Sequence, residues 1–334
     1  MTQFIRAKAP LRIGIAGGGT DVNPYASQKG GCVFNTTIDK YAYCTVIPTG
    51  DGRMGLSSPN FSRYEIPRDY KTDLEDTRLA AVVAKHFEVS EGFEMVIHSD
   101  APPGSGLGGS STMIVAMIAA MSKWRSRDMT PHEIAELAYR LEREDLGLSG
   151  GKQDQFAAAY GGFNLMRFDG EGVTVERKYL DEDTLNELQY RSLLCYTGKS
   201  RKSAALIDKQ IDAFKTGANA NALDESKRLA VEICDAVAGG DLDDAGRLLD
   251  ESWEYKKRFS KNVSTADTDK YYNLAKATGA IGGKVSGAGG GGFMYFICRY
   301  DKKHEVAKAL KRAGAEITEF AFDPCGAVAW RGDA

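Results

Sequence analysis

A chain of 334 residues, 43% hydrophobic and 27% charged, has the composition of an ordinary globular protein of about two domains, which excludes disorder and fibrous structure. Its net charge of −3 gives no general field for nucleic acid or an anionic membrane, so any anion must be met by local groups. No apolar run approaches the roughly 20 residues of a membrane span, Met1–Ala9 lacks a signal-peptide core, and the six dispersed cysteines form no Cys-x-x-Cys pair, which points to a cytoplasmic protein with reduced, mostly packed thiols.

In chain order, alternating Leu11, Ile13 and Ile15 predict a half-buried strand that runs into the sharp turn Ala16-Gly17-Gly18-Gly19-Thr20-Asp21. Aromatic and branched residues from Tyr41 to Ile47 predict a second strand, with further strands near Met54–Ser57 and at Phe93–His98 and a helix over Asp76–Phe87. Thr130-Pro131-His132-Glu133 is a helix start, with an N-cap, a proline at the first helical position and an early acid; that helix is expected to run to about Asp145. A hairpin follows at Phe163–Phe168 and Gly172–Tyr179. Beyond Arg191 a short strand, Leu193–Tyr196, leads into helical spacing at Ser203–Phe214, Leu223–Ala238, Leu242–Phe259 and Thr268–Thr278, then a strand at Phe293–Cys298, a helix at Lys303–Ala313 and terminal strands.

Four glycine-bearing turns carry the chemistry. Pro102-Pro103-Gly104-Ser105-Gly106-Leu107-Gly108-Gly109-Ser110-Ser111-Thr112 leads straight into an apolar helical segment, a combination that presents backbone N–H groups and a helix N-terminus to a phosphate. It lacks the Gly-Lys-Ser/Thr of a Walker loop and fits no convincing dinucleotide unit. The other three are the turn ending at Asp21, Ser149-Gly150-Gly151-Lys152-Gln153-Asp154-Gln155, and Lys284-Val285-Ser286-Gly287-Ala288-Gly289-Gly290-Gly291-Gly292. Their convergence would make one site for a nucleoside triphosphate and a second substrate. There Asp154 can take or orient the proton of an attacking hydroxyl, and Glu142 with a loop serine can supply the sparse oxygen ligation Mg²⁺ prefers beside phosphates. Arg12 can pair bidentately with carboxylate or phosphate, and Asp21 can accept bonds from sugar hydroxyls.

The glycine loop and the two later glycine runs, in this order, resemble the three signatures of the galactokinase, homoserine kinase, mevalonate kinase and phosphomevalonate kinase (GHMP) superfamily over essentially the whole chain. The resemblance implies an α+β GHMP kinase fold: an N-terminal domain of ribosomal-protein-S5 type over residues 1–190, a ferredoxin-like, helix-rich C-terminal domain over 191–334, and the active site between them. It implies ATP and Mg²⁺ as cofactors. Pro103, Gly104, Ser105, Gly106, Leu107, Gly108, Gly109, Ser110 and Ser111 would form the phosphate loop, Ser110 and Glu142 the metal ligands, and Asp154 the catalytic aspartate with Arg12 at the family's basic position. Gly109 stands where the family usually has its first serine, so Ser111 is an alternative metal hydroxyl. Ser286, Gly287, Ala288 and Gly289 would close over phosphates and substrate.

The opening stretch Ala9–Val22, with Thr36–Tyr41, Glu142–Gly147 and Tyr196–Arg201, is similar to the sugar-phosphate branch of the superfamily, the heptose 7-phosphate kinases and fucokinase-like enzymes. This implies phosphorylation of the anomeric hydroxyl of D-glycero-D-manno-heptose 7-phosphate, with Gly18, Gly19, Thr20, Asp21, Lys40, Gly151 and Arg201 on the substrate side. Lys40, Arg53, Arg63, Lys199 and Arg201 are the candidates for the distal phosphate. The alternatives are a kinase of an unphosphorylated sugar and a non-catalytic sugar sensor. Small-molecule partners are expected, without nucleic acid or membrane, and a homodimer is left open.

Overall fold

The structure, a computed structural model, describes residues 3–59, 61–199 and 203–333. Two long strands, β1 (Gln3–Ala16) and β2 (Gly31–Pro48), flank the glycine turn and a short helix, α1 (Tyr25–Lys29). They pair antiparallel from Ile5 opposite Val46 to Ala16 opposite Phe34, with the register shifting between Pro10 and Arg12 and again between Gly14 and Ala16. The first shift has a packing consequence. Ile5, Ala7 and Ala9 enter one hydrophobic cluster, whereas Leu11, Ile13 and Ile15 enter another on the opposite side. A bulge re-aims the residues that follow it, and here it turns Arg12 toward the helices.

β3 (Met54–Ser58), β4 (Phe61–Ile66) and β5 (Phe93–Ser99) extend this sheet in the order β1-β2-β5-β3-β4, with α2 (Glu75–His86) between β4 and β5. β3 and β5 run parallel. After α3 (Gly109–Trp124), α4 (Pro131–Tyr139) and α5 (Gln153–Tyr160), the hairpin β6 (Phe163–Phe168) and β7 (Val173–Lys178) pairs with the first half of β2, while β5 pairs with its second half. Buried methionines, alanines and branched residues of α3 join Val33, Cys44, Val46 and Phe156 in the first core.

α6 (Glu182–Arg191) leads to β8 (Ser192–Tyr196) and then to α7 (Ser203–Lys215), α8 (Ala220–Ala238), α9 (Leu242–Lys256) and α10 (Ala266–Thr278). β9 (Ala280–Val285), β10 (Phe293–Cys298), α11 (Lys303–Arg312) and β11 (Glu316–Thr318) complete a second, antiparallel sheet ordered β11-β8-β10-β9. The second core is shared: Leu11, Ile13 and Phe34 meet Leu229, Ile233 and Leu249 of α8 and α9 and Phe293 and Tyr295 of β10. The last strand, β12 (Val328–Asp333), lies within the stretch expected for the second domain but pairs with β1, Gln3 opposite Asp333. No helix among the described residues is long and apolar enough to cross a membrane. All six cysteines are free, and five are buried.

The expected helix from Thr130 to Asp145 is present with its capping box, but its last six residues, Arg140–Asp145, form a π-helical turn. The residue patterns predict no strand at β4 or β9 and no helix at α1 or α6. β9 contains Gly282 and Gly283, which weaken a strand signal, and the contact explains them. A Cβ at Gly282 would lie 2.0 Å from the Gly246 carbonyl oxygen and 2.8 Å from the Asp250 nitrogen, both on α9. Gly282→Ala should therefore destabilise the protein by about 1–3 kcal/mol, whereas Gly170→Ala, where no atom lies within 4 Å, should leave the urea midpoint unchanged.

Candidate active site

The loop between β5 and α3 alternates glycines of left-handed backbone, with φ of +71° at Gly104, +86° at Gly106 and +78° at Gly108. Gly108 is the N-cap of α3, and no side chain caps that end. The first N–H groups of a long helix are thus left as anion donors. Pro103, Gly104, Ser105, Gly106, Gly108, Gly109, Ser110 and Ser111 line a cleft of about 550 Å³. Leu107 does not; its side chain is in the second core and its carbonyl accepts the Arg12 backbone N–H at 3.2 Å. The third glycine run packs backbone on backbone against the loop: Phe293 N–H donates to the Ser105 carbonyl at 2.9 Å, and a Cβ at Gly292 would lie 2.3 Å from that oxygen.

Arg12 binds these pieces together. Its guanidinium, almost wholly buried, contacts Asp154 Oδ1 through Nε at 2.8 Å and Nη2 at 2.7 Å. Nη1 donates to the Gly106 carbonyl at 2.6 Å and reaches Ser286 Oγ at 3.4 Å. Both contacts with Asp154 fall on Oδ1. Its Oδ2 faces Gly108, where a Cβ would stand 3.2 Å away. The aspartate, at the N-terminal end of α5 and about one-fifth exposed, is therefore oriented through one oxygen and open through the other.

At the other end of the loop, Ser110 Oγ donates to Glu142 Oε1 at 2.9 Å, and Gln155 Nε2 donates to Glu142 Oε2 at 2.7 Å. Glu142 is buried in the π turn that follows α4, next to the equally buried Leu141. A wide turn changes the phase of the helix, so neighbouring residues both point inward. Of the two candidate serines, Ser110 is exposed to the cleft, whereas Ser111 is buried and its hydroxyl accepts from Arg143 Nη2 at 3.1 Å and Gln155 Nε2 at 3.2 Å. Two adjoining hard oxygen donors, Ser110 and Glu142, suit Mg²⁺, which takes one or two protein ligands beside phosphates and water.

The turn after β1 forms another wall. Gly18, Gly19, Asp21 and Gly151 line the cleft. Asp21 accepts from Gly19 N–H at 2.9 Å, Gln153 N–H at 3.1 Å and Gln153 Nε2 at 3.0 Å, so its carboxylate clamps the turn to α5 and keeps about one lone-pair site of four for a ligand. Gly151 has to be glycine, since a Cβ would fall 1.9 Å from Asp21 Oδ2. Thr20 departs from expectation. Its hydroxyl is buried, lies within hydrogen-bond distance of the carbonyls of Gly17 and Cys32 and accepts from Cys32 N–H, which locks the turn, and Thr20 is not in the cleft wall.

Of the third run, Gly287 and Ala288 line the cleft, Ser286 stands behind them on Arg12, and Gly289 packs against Val263. Four expected distal-phosphate cations are not in the cleft wall. Lys40 Nζ lies 3.8 Å from Asp39, Arg53 pairs with Asp51, Arg63 with Glu94 and Lys199 with Asp267. Arg201 lies outside the described residues.

Sequence reasoning missed Lys256, which lines the cleft from the end of α9 and donates to the Gly287 carbonyl at 2.6 Å. Burial pushes its pKa down to about 8, with Arg12 adding to the shift and Asp21 and Asp154 opposing it. Lys284 is also buried, and burial with the charges of Lys256 and Arg12 drives its pKa well below the usual lysine value. A signal existed: Leu242, Ala245, Leu249, Trp253 and Lys256 form one buried stripe of α9, so the lysine occupies a core position.

The patterns described as "GHMP kinases N terminal domain" and "GHMP kinases C terminal" match residues 77–162 and 229–316. The chain is 36% identical to D-glycero-alpha-D-manno-heptose 7-phosphate kinase of Campylobacter jejuni, over 98% of this chain and 99% of that one. It is 34% identical to a crystal structure of a D-glycero-D-manno-heptose 1-phosphate kinase from Bacteroides thetaiotaomicron, covering 99% and 100% of the two chains with a TM-score of 0.81. A more distant relative, the bifunctional fucokinase/GDP-fucose pyrophosphorylase of Arabidopsis thaliana, is 26% identical over 94% of this chain and 31% of its own length. A full-length likeness of this degree, with both family patterns in sequence and the expected glycine turns gathered on one cleft, makes the chain a member of the GHMP kinase family and an ATP-dependent sugar kinase.

Proposed function

We propose that the enzyme transfers the γ-phosphoryl group of Mg²⁺-ATP to the anomeric C1 hydroxyl of D-glycero-D-manno-heptose 7-phosphate, giving the 1,7-bisphosphate. The observation that carries the chemistry is the half-open Asp154, with one oxygen fixed by Arg12 and the other turned to the cleft below the phosphate loop. The sugar assignment rests on the whole-chain likeness to the Campylobacter enzyme.

In this reading Gly104–Ser111 and the first turn of α3 hold the ATP phosphates. Asp154 accepts the proton of the sugar hydroxyl as that oxygen attacks phosphorus in line, a task of positioning and charge stabilisation. Arg12 fixes the carboxylate and gives it the orientation a general base needs. Ser110 and Glu142 would hold Mg²⁺, which supplies charge neutralisation on the phosphate oxygens. Asp21, Gly18, Gly19 and Gly151 form the sugar wall, and Gly287 and Ala288 close the opposite side. Arg201 is the distal-phosphate residue, since the other four candidate cations point elsewhere. The division into ATP-binding residues 1–190 and C-terminal residues 191–334 and a cytoplasmic location belong to the same reading. A net charge of −3 gives no general field for nucleic acid or a membrane surface, so a small anionic substrate is to be met by local groups.

The first test is an acceptor panel: Mg²⁺-ATP with galactose, fucose, mannose 6-phosphate and D-glycero-D-manno-heptose 7-phosphate, reading ADP and the position of the new phosphate. ADP with the heptose phosphate alone, with phosphate added at C1, is the expected result; turnover of fucose or galactose would move the enzyme to the neutral-sugar kinases. Asp154→Asn should lower kcat by about 10²–10⁴ with the KM for ATP little changed. Turnover within about tenfold of wild type, roughly 1.4 kcal/mol on the barrier, would remove Asp154 from that role. Arg201→Ala should raise KM for the sugar phosphate far more than for ATP.

A further inference from the structure

Three cations and two carboxylates meet where β1, the turn after it, α5, α9 and β9 converge. Facing Lys256 are Arg12 on β1, Asp21 on the turn and Asp154 on α5, with Lys284 on β9 beside it. The carboxylates are already engaged: Asp154 through Oδ1 by Arg12, Asp21 by three N–H donors. Lys256 has three N–H donors and, among the described residues, hydrogen-bonds only the Gly287 carbonyl. A buried ammonium is unfavourable without paired charge, and among the described residues neither carboxylate hydrogen-bonds Lys256. A lysine at a helix C-terminus can be held by the last carbonyls of its own helix. Lys256 instead reaches across to the third glycine run.

Its position selects the ligand. Lys256 Nζ stands 3.8 Å from the point a Cβ would occupy on Gly18, so the ammonium opens beside the sugar wall, in the same cleft as Asp154. We propose that Lys256 is a further catalytic residue, whose ammonium meets the acceptor oxygen as that oxygen gives its proton to Asp154 and attacks phosphorus. The oxygen–phosphorus bond forms, the bond from the γ-phosphorus to the β,γ-bridging oxygen breaks, and ADP leaves with that electron pair. Lys256 keeps its three protons throughout and balances the charge that gathers on the acceptor oxygen.

This inference rests on Asp154 receiving the acceptor's proton, and the two are separable by experiment. Wild type, Lys256→Met, Lys256→Arg and Asp154→Asn are compared with Mg²⁺-ATP and the acceptor that wild type turns over, together with thermal melting and ATP binding. Lys256→Met, which removes a buried charge, should remain folded and bind ATP, with kcat lowered by about 100-fold or more. The wild-type kcat/KM for the acceptor should fall on the alkaline side, at or somewhat above the Lys256 pKa of about 8. Lys256→Arg should keep part of the activity and lose that alkaline fall up to about pH 10, because a guanidinium stays charged there. A Lys256→Met kcat within about threefold of wild type, or an alkaline fall unchanged in Lys256→Arg, would overturn the role of Lys256. If Asp154→Asn is inactive in the same series, only Lys256 is lost; if it retains turnover, the assignment of the base fails first.

Discussion

The guanidinium of Arg12 joins four pieces of chain that are far apart in sequence: β1, the phosphate loop, the start of α5 and the third glycine run. Burying such an ion pair removes two charges from water, a loss repaid only when geometry is good and the remaining donors find acceptors. Here the fork meets one carboxylate oxygen twice and sends its third arm to a backbone carbonyl. Lysine offers a point charge and could not make these contacts together. The bulge before Arg12 makes the arrangement possible, since a regular strand would have kept the odd-numbered residues of β1 in one core and turned Arg12 the other way.

The second constraint is close backbone approach. The phosphate loop touches the third glycine run with no side chains between, and the turn at Gly18 to Asp21 is clamped to α5 at a distance that only Gly151 permits. Such contacts leave N–H groups unhindered for anions and fix the cleft walls relative to each other. Polar side chains inside this frame, Gln153, Gln155 and Arg143, serve mainly to hold Asp21, Glu142 and Ser111 in place.

What could be read from the sequence follows from this. Glycine turns entering helices are local signals, so the phosphate loop, Asp154 and the capped start of α4 could be located without coordinates. The orientation of a side chain within a turn is not local. Thr20 looked like a ligand residue and is a turn lock, and Lys40, Arg53, Arg63 and Lys199 looked like a phosphate pocket and are held by acids beside them or across a sheet or loop. Lys256 stands beside Lys257 and Arg258, and only its helical phase, in line with Leu242, Ala245, Leu249 and Trp253, marks it as an inside position. β9 was hidden because Gly282 and Gly283 answer to α9 and Phe296, neighbours that only the tertiary structure supplies.

The return of β12 to β1 bears on how the protein is made. While the chain is being synthesised, the outer edge of β1 has no partner until residues 328–333 emerge, because its six ladder positions are filled from the far end of the sequence. Contacts of such long separation form slowly, and an open strand edge invites pairing with other chains. The Gln3–Lys8 half of the strand that carries Arg12 therefore keeps an open edge until residues 328–333 have been made.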